Sequence, residues 1–173
     1  MALETELKLS LPPRTASRFA AHPLLAGLAS QRQKLLNTYY DTPELTLQHE
    51  RIGVRYRRKG RQWLLTVKCA APSAGGLARR LEWENPGRPG EFDFSHVDHD
   101  HLRQRLETLR PGLQAAFTTD FVRTAWLIDT GKARIELALD RGHIIAGDQR
   151  ETISEVELEL LDGRSEEHTS ELQ

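Results

Sequence analysis

Residues Leu3 to Leu9 alternate strictly between apolar and polar or charged side chains, a period of two that predicts a strand with one apolar face. Pro12-Pro13 ends it, and Pro13 suits the first turn of a helix running through Arg18, Phe19 and Ala20. Leu24, Leu25 and Leu28 point to a second short helical stretch. Leu35 to Thr42 reads as a strand stopped by Pro43. Ile52 to Lys59 and Gln62 to Cys69 flank Gly60-Arg61, a two-residue hairpin turn. Ala71 to Gly76 is a loop of small residues, Leu77 to Asn85 the next strand, and Pro86 to Gly90 another loop. His99 to Leu109 has helical spacing and ends at Arg110-Pro111. Thr118 to Thr130, Lys132 to Asp140, His143 to Ala146 and Thr152 to Leu161 complete the strands. Short connections make the sheet mostly antiparallel, so the pattern predicts one α+β domain dominated by sheet.

The polar faces are unusual in what they carry. Glu4, Glu6 and Lys8 share one face of the first strand, and Glu155, Glu157 and Glu159 share one face of the last. Between them come Arg55 with Arg57, Thr66 with Lys68, Arg80 with Glu82 and Glu84, and Arg134 with Glu136 and Asp140. A solvent-facing sheet accounts for any one of these strands. Segregation of acidic triplets and basic pairs onto separate strands asks for more. Neighbouring carboxylates repel each other and persist most easily beside a cation, and oxygen-only ligands suit Mg²⁺ or Mn²⁺. Arginine forks and a lysine suit phosphate oxygens. Closing the sheet into a barrel would turn the charged face inward and leave the aliphatic face outside, under the helices.

Composition narrows the setting. The 173 residues carry a formal net charge of -1, so no global basic field advertises nucleic acid. Arginine dominates the bases, a bias that a GC-rich genome also produces. The single cysteine, Cys69, excludes an internal disulfide. The amino terminus is charged from Glu4 and unlike a leader, and no segment approaches a membrane span. A cytoplasmic protein with no membrane and no nucleic-acid partner is expected.

Eight ordered motifs then coincide with one family. Glu4-x-Glu6-x-Lys8, YYDT at Tyr39 to Thr42, VRYR at Val54 to Arg57 and TVK at Thr66 to Lys68 are followed by RLEWE at Arg80 to Glu84. FVRTAW at Phe121 to Trp126, IELALDRG at Ile135 to Gly142 and EVELELL at Glu155 to Leu161 complete the set. Together they resemble the CYTH domain, a family of inorganic triphosphatases, thiamine triphosphatases and one class of adenylyl cyclase. TDF-x-R at Thr119 to Arg123 and the ending ELELL are most similar to bacterial inorganic triphosphatases in which a helical CHAD domain follows.

The resemblance implies an eight-stranded antiparallel β-barrel, the triphosphate tunnel, with flanking helices, hydrolysing inorganic triphosphate with Mg²⁺ or Mn²⁺. A thiamine or nucleoside triphosphatase of the same fold, or a non-catalytic polyphosphate-binding module, are the alternatives. By motif position Glu4, Glu6, Glu157, Glu159 and Asp140 are expected at the metal site. Lys8, Arg55, Arg57, Lys68, Arg80 and Arg123 are expected on phosphate, with Tyr39 to orient or deprotonate water. Tyr39 and Tyr40 read equally well as core aromatics. The family continues into a closing helix; here Arg164 to Gln173 reads RSEEHTSELQ, which resembles a translated sequencing adapter. The expectation is therefore a domain over residues 1–163 lacking that helix, a non-native tail over 164–173, and a downstream CHAD domain in the intact protein.

Other features read as structural. His96, Asp98, His99, Asp100 and His101 fall where a helix begins, with Asp98 or Asp100 as its N-cap. Cys69 faces away from Lys68 and reads as core, and Trp63, Trp83 and Trp126 as outer packing.

Overall fold

The computed structural model describes residues 2–71 and 78–163. Its strands are β1 (Ala2–Ser10), β2 (Ser30–Asp41), β3 (Ile52–Lys59), β4 (Gln62–Ala70), β5 (Ala78–Pro86), β6 (Gln114–Asp129), β7 (Ala133–Ala146) and β8 (Gln149–Gly163). All pairings are antiparallel, and the order β1-β5-β4-β3-β2-β6-β7-β8 closes on itself. Closure leaves no free sheet edge among the described residues. The helices are α1 (Ala16–Ala20), α2 (Thr46–His49) and α3 (Asp100–Leu109). None of the described helices is long and apolar enough to cross a membrane.

The β3–β4 hairpin turns at Gly60, whose φ of +62° suits a residue without a Cβ. The predicted elements mostly form, although β2, β6 and β8 begin three to five residues before the predicted starts, and three other readings change. Residues 24–28 form consecutive turns rather than a helix, closed by bonds such as Leu25 N to His22 O. Lys132–Asp140 and His143–Ala146 are one strand, β7, because Gly142 does not break it. A Cβ on Gly142 would sit 2.2 Å from the Asp120 carbonyl oxygen and 2.4 Å from Phe121 Cα, so glycine admits the close approach of β6. The cap of α3 is neither Asp98 nor Asp100: His99 Nδ1 accepts from Leu102 N, while Asp98 accepts from Trp83 Nε1 at 2.5 Å.

Helix α2 has its cap displaced along the chain. Asp41 accepts from the backbone N–H of Thr42, Leu47 and Gln48, and Leu45 in left-handed backbone carries the turn between them. Loop residues 71–76 fall outside the described residues from position 72 on.

Two apolar clusters cover the outside of the barrel. Val54, Tyr56, Leu65, Val67 and Trp83 pack beneath Leu47, Phe94, Val97, Leu102 and Leu106, which joins α2, α3 and the loop before α3 to β3–β5. Trp126, Leu137, Leu139 and Val156 pack beneath Ala16 and Leu25, which joins α1 and the following turns to β6–β8. The expected helical cover stops short of β1, where Leu3 and Leu9 remain half exposed. A third cluster was not foreseen. Leu35, Phe121 and Ile153, with Ile144 against them, share strand parity with the charged residues and therefore lie on the inner face.

Candidate active site

Closure gathers the charged faces around a cavity of about 1000 Å³. Glu4, Glu6 and Lys8 enter from β1, and Tyr39 from β2. Arg55 and Arg57 enter from β3, Lys68 from β4 and Arg80 from β5. Arg123 comes from β6, Asp140 from β7, and Glu157 and Glu159 from β8. Every residue expected at the metal or phosphate site, and Tyr39, thus lines one cavity, whereas Thr66, Arg134 and Glu136 from the same alternation do not. Glu82, Glu84, Asn37, Thr119 and Glu155 line it too, and none of them was assigned a role from sequence.

Most of the cations are locked to carboxylates across the strands. Lys8 Nζ lies 2.6 Å from Glu157 and 3.4 Å from Glu155. Lys68 Nζ lies 2.5 Å from Glu4 and 3.6 Å from Glu82. Arg80 lies 3.1 Å from Glu6, and Arg55 3.8 Å from Glu82. Arg123 forks onto both oxygens of Asp140, at 2.9 and 2.7 Å, and also binds Glu157. Arg57 is the exception. Among the described residues it makes no ion pair; its Nε donates to Asn37 Oδ1 at 3.1 Å, a neutral acceptor.

Titration follows from this wiring. Burial opposes ionisation of Glu157, but Arg123 and Lys8 prevail and hold its pKa at about 2. Lys8 is pushed up, its burial outweighed by Glu157 and Glu155. Burial works to raise Tyr39, yet Arg55, which also donates to its hydroxyl at 3.2 Å, with Arg57 and Lys8, holds it below the ordinary phenol value. Phe117 stacks on the Tyr39 ring at 4.5 Å. Tyr40 instead packs edge-on to Tyr56 and Phe92 in the outer core. Arg57 is lowered to about 10 by burial and by the charges of Arg55 and Arg123.

For one ion pair the directions conflict: burial raises Asp140 while the same contact raises Arg123. The two-point fork at hydrogen-bond distance favours the charged pair.

Negative charge is in excess along β1 and β8. Glu159 is raised by burial and by Glu4, Glu136 and Glu6, despite Lys68. Glu82 is raised by burial and by its hydrogen bond to Glu4. Glu6 Oε1 is buried and accepts no hydrogen bond, Arg80 being close but not aligned to donate. Among the described residues no three His, Cys, Asp or Glu side chains already stand in a cation-binding group. The donor set is nevertheless all oxygen, crowded and under-compensated, which fits a hard divalent cation.

A family model described as the CYTH domain matches residues 2–172. The chain belongs to the CYTH domain family. It is 34% identical over 164 residues to an inorganic triphosphatase of Haemophilus influenzae. That alignment takes in 94% of this CYTH chain and 46% of the relative, so the chain spans about half the length of the curated relative it matches. Among solved structures, an adenylate cyclase candidate of Bacillus halodurans superposes with a TM-score of 0.64 at 21% identity, covering 98% of this chain and 86% of the other. A Hippeastrum adenylyl cyclase candidate with a dominant triphosphatase activity superposes with a TM-score of 0.62 at 18% identity, covering 98% and 83%. Both likenesses show the fold. The family match takes in most of residues 164–173, a segment that lies outside the described residues.

Proposed function

We propose that this CYTH domain hydrolyses inorganic triphosphate to diphosphate and phosphate inside the barrel, with Mg²⁺ or Mn²⁺. The observation that carries the reading is the cavity wall, where Lys8, Arg55, Arg57, Lys68, Arg80 and Arg123 converge opposite an excess of carboxylates. The triphosphatase relative supports the substrate. Phosphoryl transfer needs little covalent help from a protein; positioning and neutralisation of charge do most of the work.

The basic set grips the phosphate oxygens, and each cation except Arg57 exchanges a carboxylate for substrate as it does so. Glu4, Glu6 and Glu159 would hold the cation, together with Glu157 and Asp140, which Arg123 holds in the free domain. When bound, the metal would neutralise charge on the transferring phosphoryl group. Tyr39, as the phenolate, orients the attacking water and takes its proton at Oη as the water oxygen bonds to the terminal phosphorus and the bridging oxygen leaves with diphosphate. The cations around Tyr39 favour its phenolate, the form able to accept that proton. The downstream CHAD domain expected from the sequence belongs to the same proposal.

A second reading has its own observation. Phe117, Phe121, Ile144 and Ile153 form an apolar stretch of the cavity wall, which suits the organic part of a nucleoside or thiamine triphosphate. The deciding experiment is phosphate release from inorganic triphosphate, ATP and thiamine triphosphate, with Mg²⁺ and with EDTA. Metal-dependent release selective for inorganic triphosphate is expected, lost in Glu4→Gln and weakened through substrate affinity in Arg55→Ala. Preference for an organic triphosphate would select the second reading. Unchanged kinetics in both variants would overturn the tunnel as the site.

A further inference from the structure

Within the barrel wall, beside the basic set, the Asn37 side chain is buried, at 1% exposure. Its Nδ2 donates to Thr119 Oγ1 at 2.9 Å and its Oδ1 accepts from Arg57 Nε at 3.1 Å. The orientation of the amide is dictated rather than chosen. An arginine Nε–H can only donate, so oxygen must face Arg57, and nitrogen therefore faces the hydroxyl. Backbone register brings the three residues together: Asn37 is opposite Arg57 on β3 and opposite Thr119 on β6.

The choice of acceptor has an electrostatic consequence. Lys8, Arg55, Lys68, Arg80 and Arg123 each face a carboxylate, so an arriving phosphate must displace an ion pair. Arg57 faces a neutral amide, which fixes Nε and leaves the remaining guanidinium donors and the whole charge to a ligand. Burial and the neighbouring Arg55 and Arg123 already make that charge costly. An anion relieves it. We infer that Asn37, locked by Thr119, is a positioning residue that keeps Arg57 uncompensated as the first docking point for a phosphate oxygen. The inference rests on the proposed triphosphate site and adds a division of labour within it.

The test is an isosteric substitution. Asn37→Asp preserves shape and both contacts, since the Thr119 hydroxyl can rotate to donate, but turns the neutral acceptor into an ion-pair partner. Calorimetric titration with tripolyphosphate, in EDTA and in Mg²⁺, should show affinity weakened on the order of ten- to hundredfold. In an Arg57→Ala background the same substitution should change affinity no further. Thr119→Val, which frees the amide to flip, should weaken binding in the same direction, and Thr119→Ser should restore it. Thermal melts separate this from simple destabilisation, because a purely structural Asn37 would lower the melting temperature and leave affinity alone. Wild-type affinity in Asn37→Asp, or an equal loss with and without Arg57, would overturn the inference while leaving the site intact. Failure of the wild-type domain to bind tripolyphosphate in either buffer would remove the site itself and the inference with it.

Discussion

Replacing Glu157 by glutamine gives a stability effect with a distinctive pH signature. Its side chain is 13% exposed, sits 2.6 Å from Lys8 Nζ and also receives Arg123. The gap between its ordinary value of 4.5 and the native value of about 2 is equivalent to about 3 kcal/mol in favour of the charged form. Because the native pKa is the lower one, that stabilisation is whole above pH 4.5 and is lost as the pH falls through about 2. Glutamine resembles the protonated acid at every pH. The variant should therefore be less stable than the wild type by about 3 kcal/mol at pH 7, with roughly half of that difference left at pH 3. Lys8 keeps Glu155 and Arg123 keeps Asp140, so neither cation is orphaned and the figure is an upper one. Urea unfolding of both proteins at pH 7, 5 and 3, followed by tryptophan fluorescence, measures it. A difference that stays constant across this range, or one below about 0.5 kcal/mol at pH 7, would refute the wiring of Glu157 to its two cations.

Tyr39→Phe keeps the Phe117 stack and removes only the hydroxyl, so kcat should fall about a hundredfold or more with KM little changed. The wild-type rate should climb with pH to a plateau reached below the ordinary tyrosine value, and that step should vanish in the variant; a retained step assigns the base elsewhere. Gly142→Ala drives a methyl group into the backbone of Asp120 and Phe121, which cannot yield as a side chain would, and should cost about 1–3 kcal/mol or more. An unchanged melting temperature would show that β6 and β7 do not approach as described. Asp41→Ala strips three backbone N–H groups of their acceptor, at a cost of about 1–3 kcal/mol. Amide exchange at Leu47 and Gln48 should accelerate first, and full protection there would contradict the capping role.

Much of the cavity wall was legible because a strand has a period of two and a closed barrel has one inside. Once Glu4, Glu6 and Lys8 were seen to share a face, closure had to bring them against Glu157 and Glu159. Glu82 and Glu84 lay in the same alternation, but only the structure shows Glu82 against Lys68, Arg55 and Glu4. The pairing of Asn37 with Thr119 gave no signal: both are neutral, Thr119 stood out only as the start of TDF-x-R, and their meeting bridges 82 positions of sequence. The inner apolar cluster of Leu35, Phe121 and Ile153 went unassigned, because attention to alternation fell on the charged positions of the inner face. Helix α2 escaped because its capping carboxylate, Asp41, sits five positions before the first helical residue instead of next to it. Asp98 was a sound cap by composition, but Trp83, distant in sequence, claimed it.

The register that closes the barrel also fixes when the cavity comes into existence. β1 is held between β5 and β8, so Glu6 on the first strand lies opposite Glu159 on the last. During synthesis the earliest strand must wait for the latest, and such distant pairings form slowly because the entropy of closing a long loop comes before the contacts that offset it. Until then the acidic rows of β1 and β8 stay apart, each bordered by a different set of bases. Until β8 has been made, the chain thus offers an anion scattered charges but no enclosed tunnel. Competence arrives in one step, with the last seam.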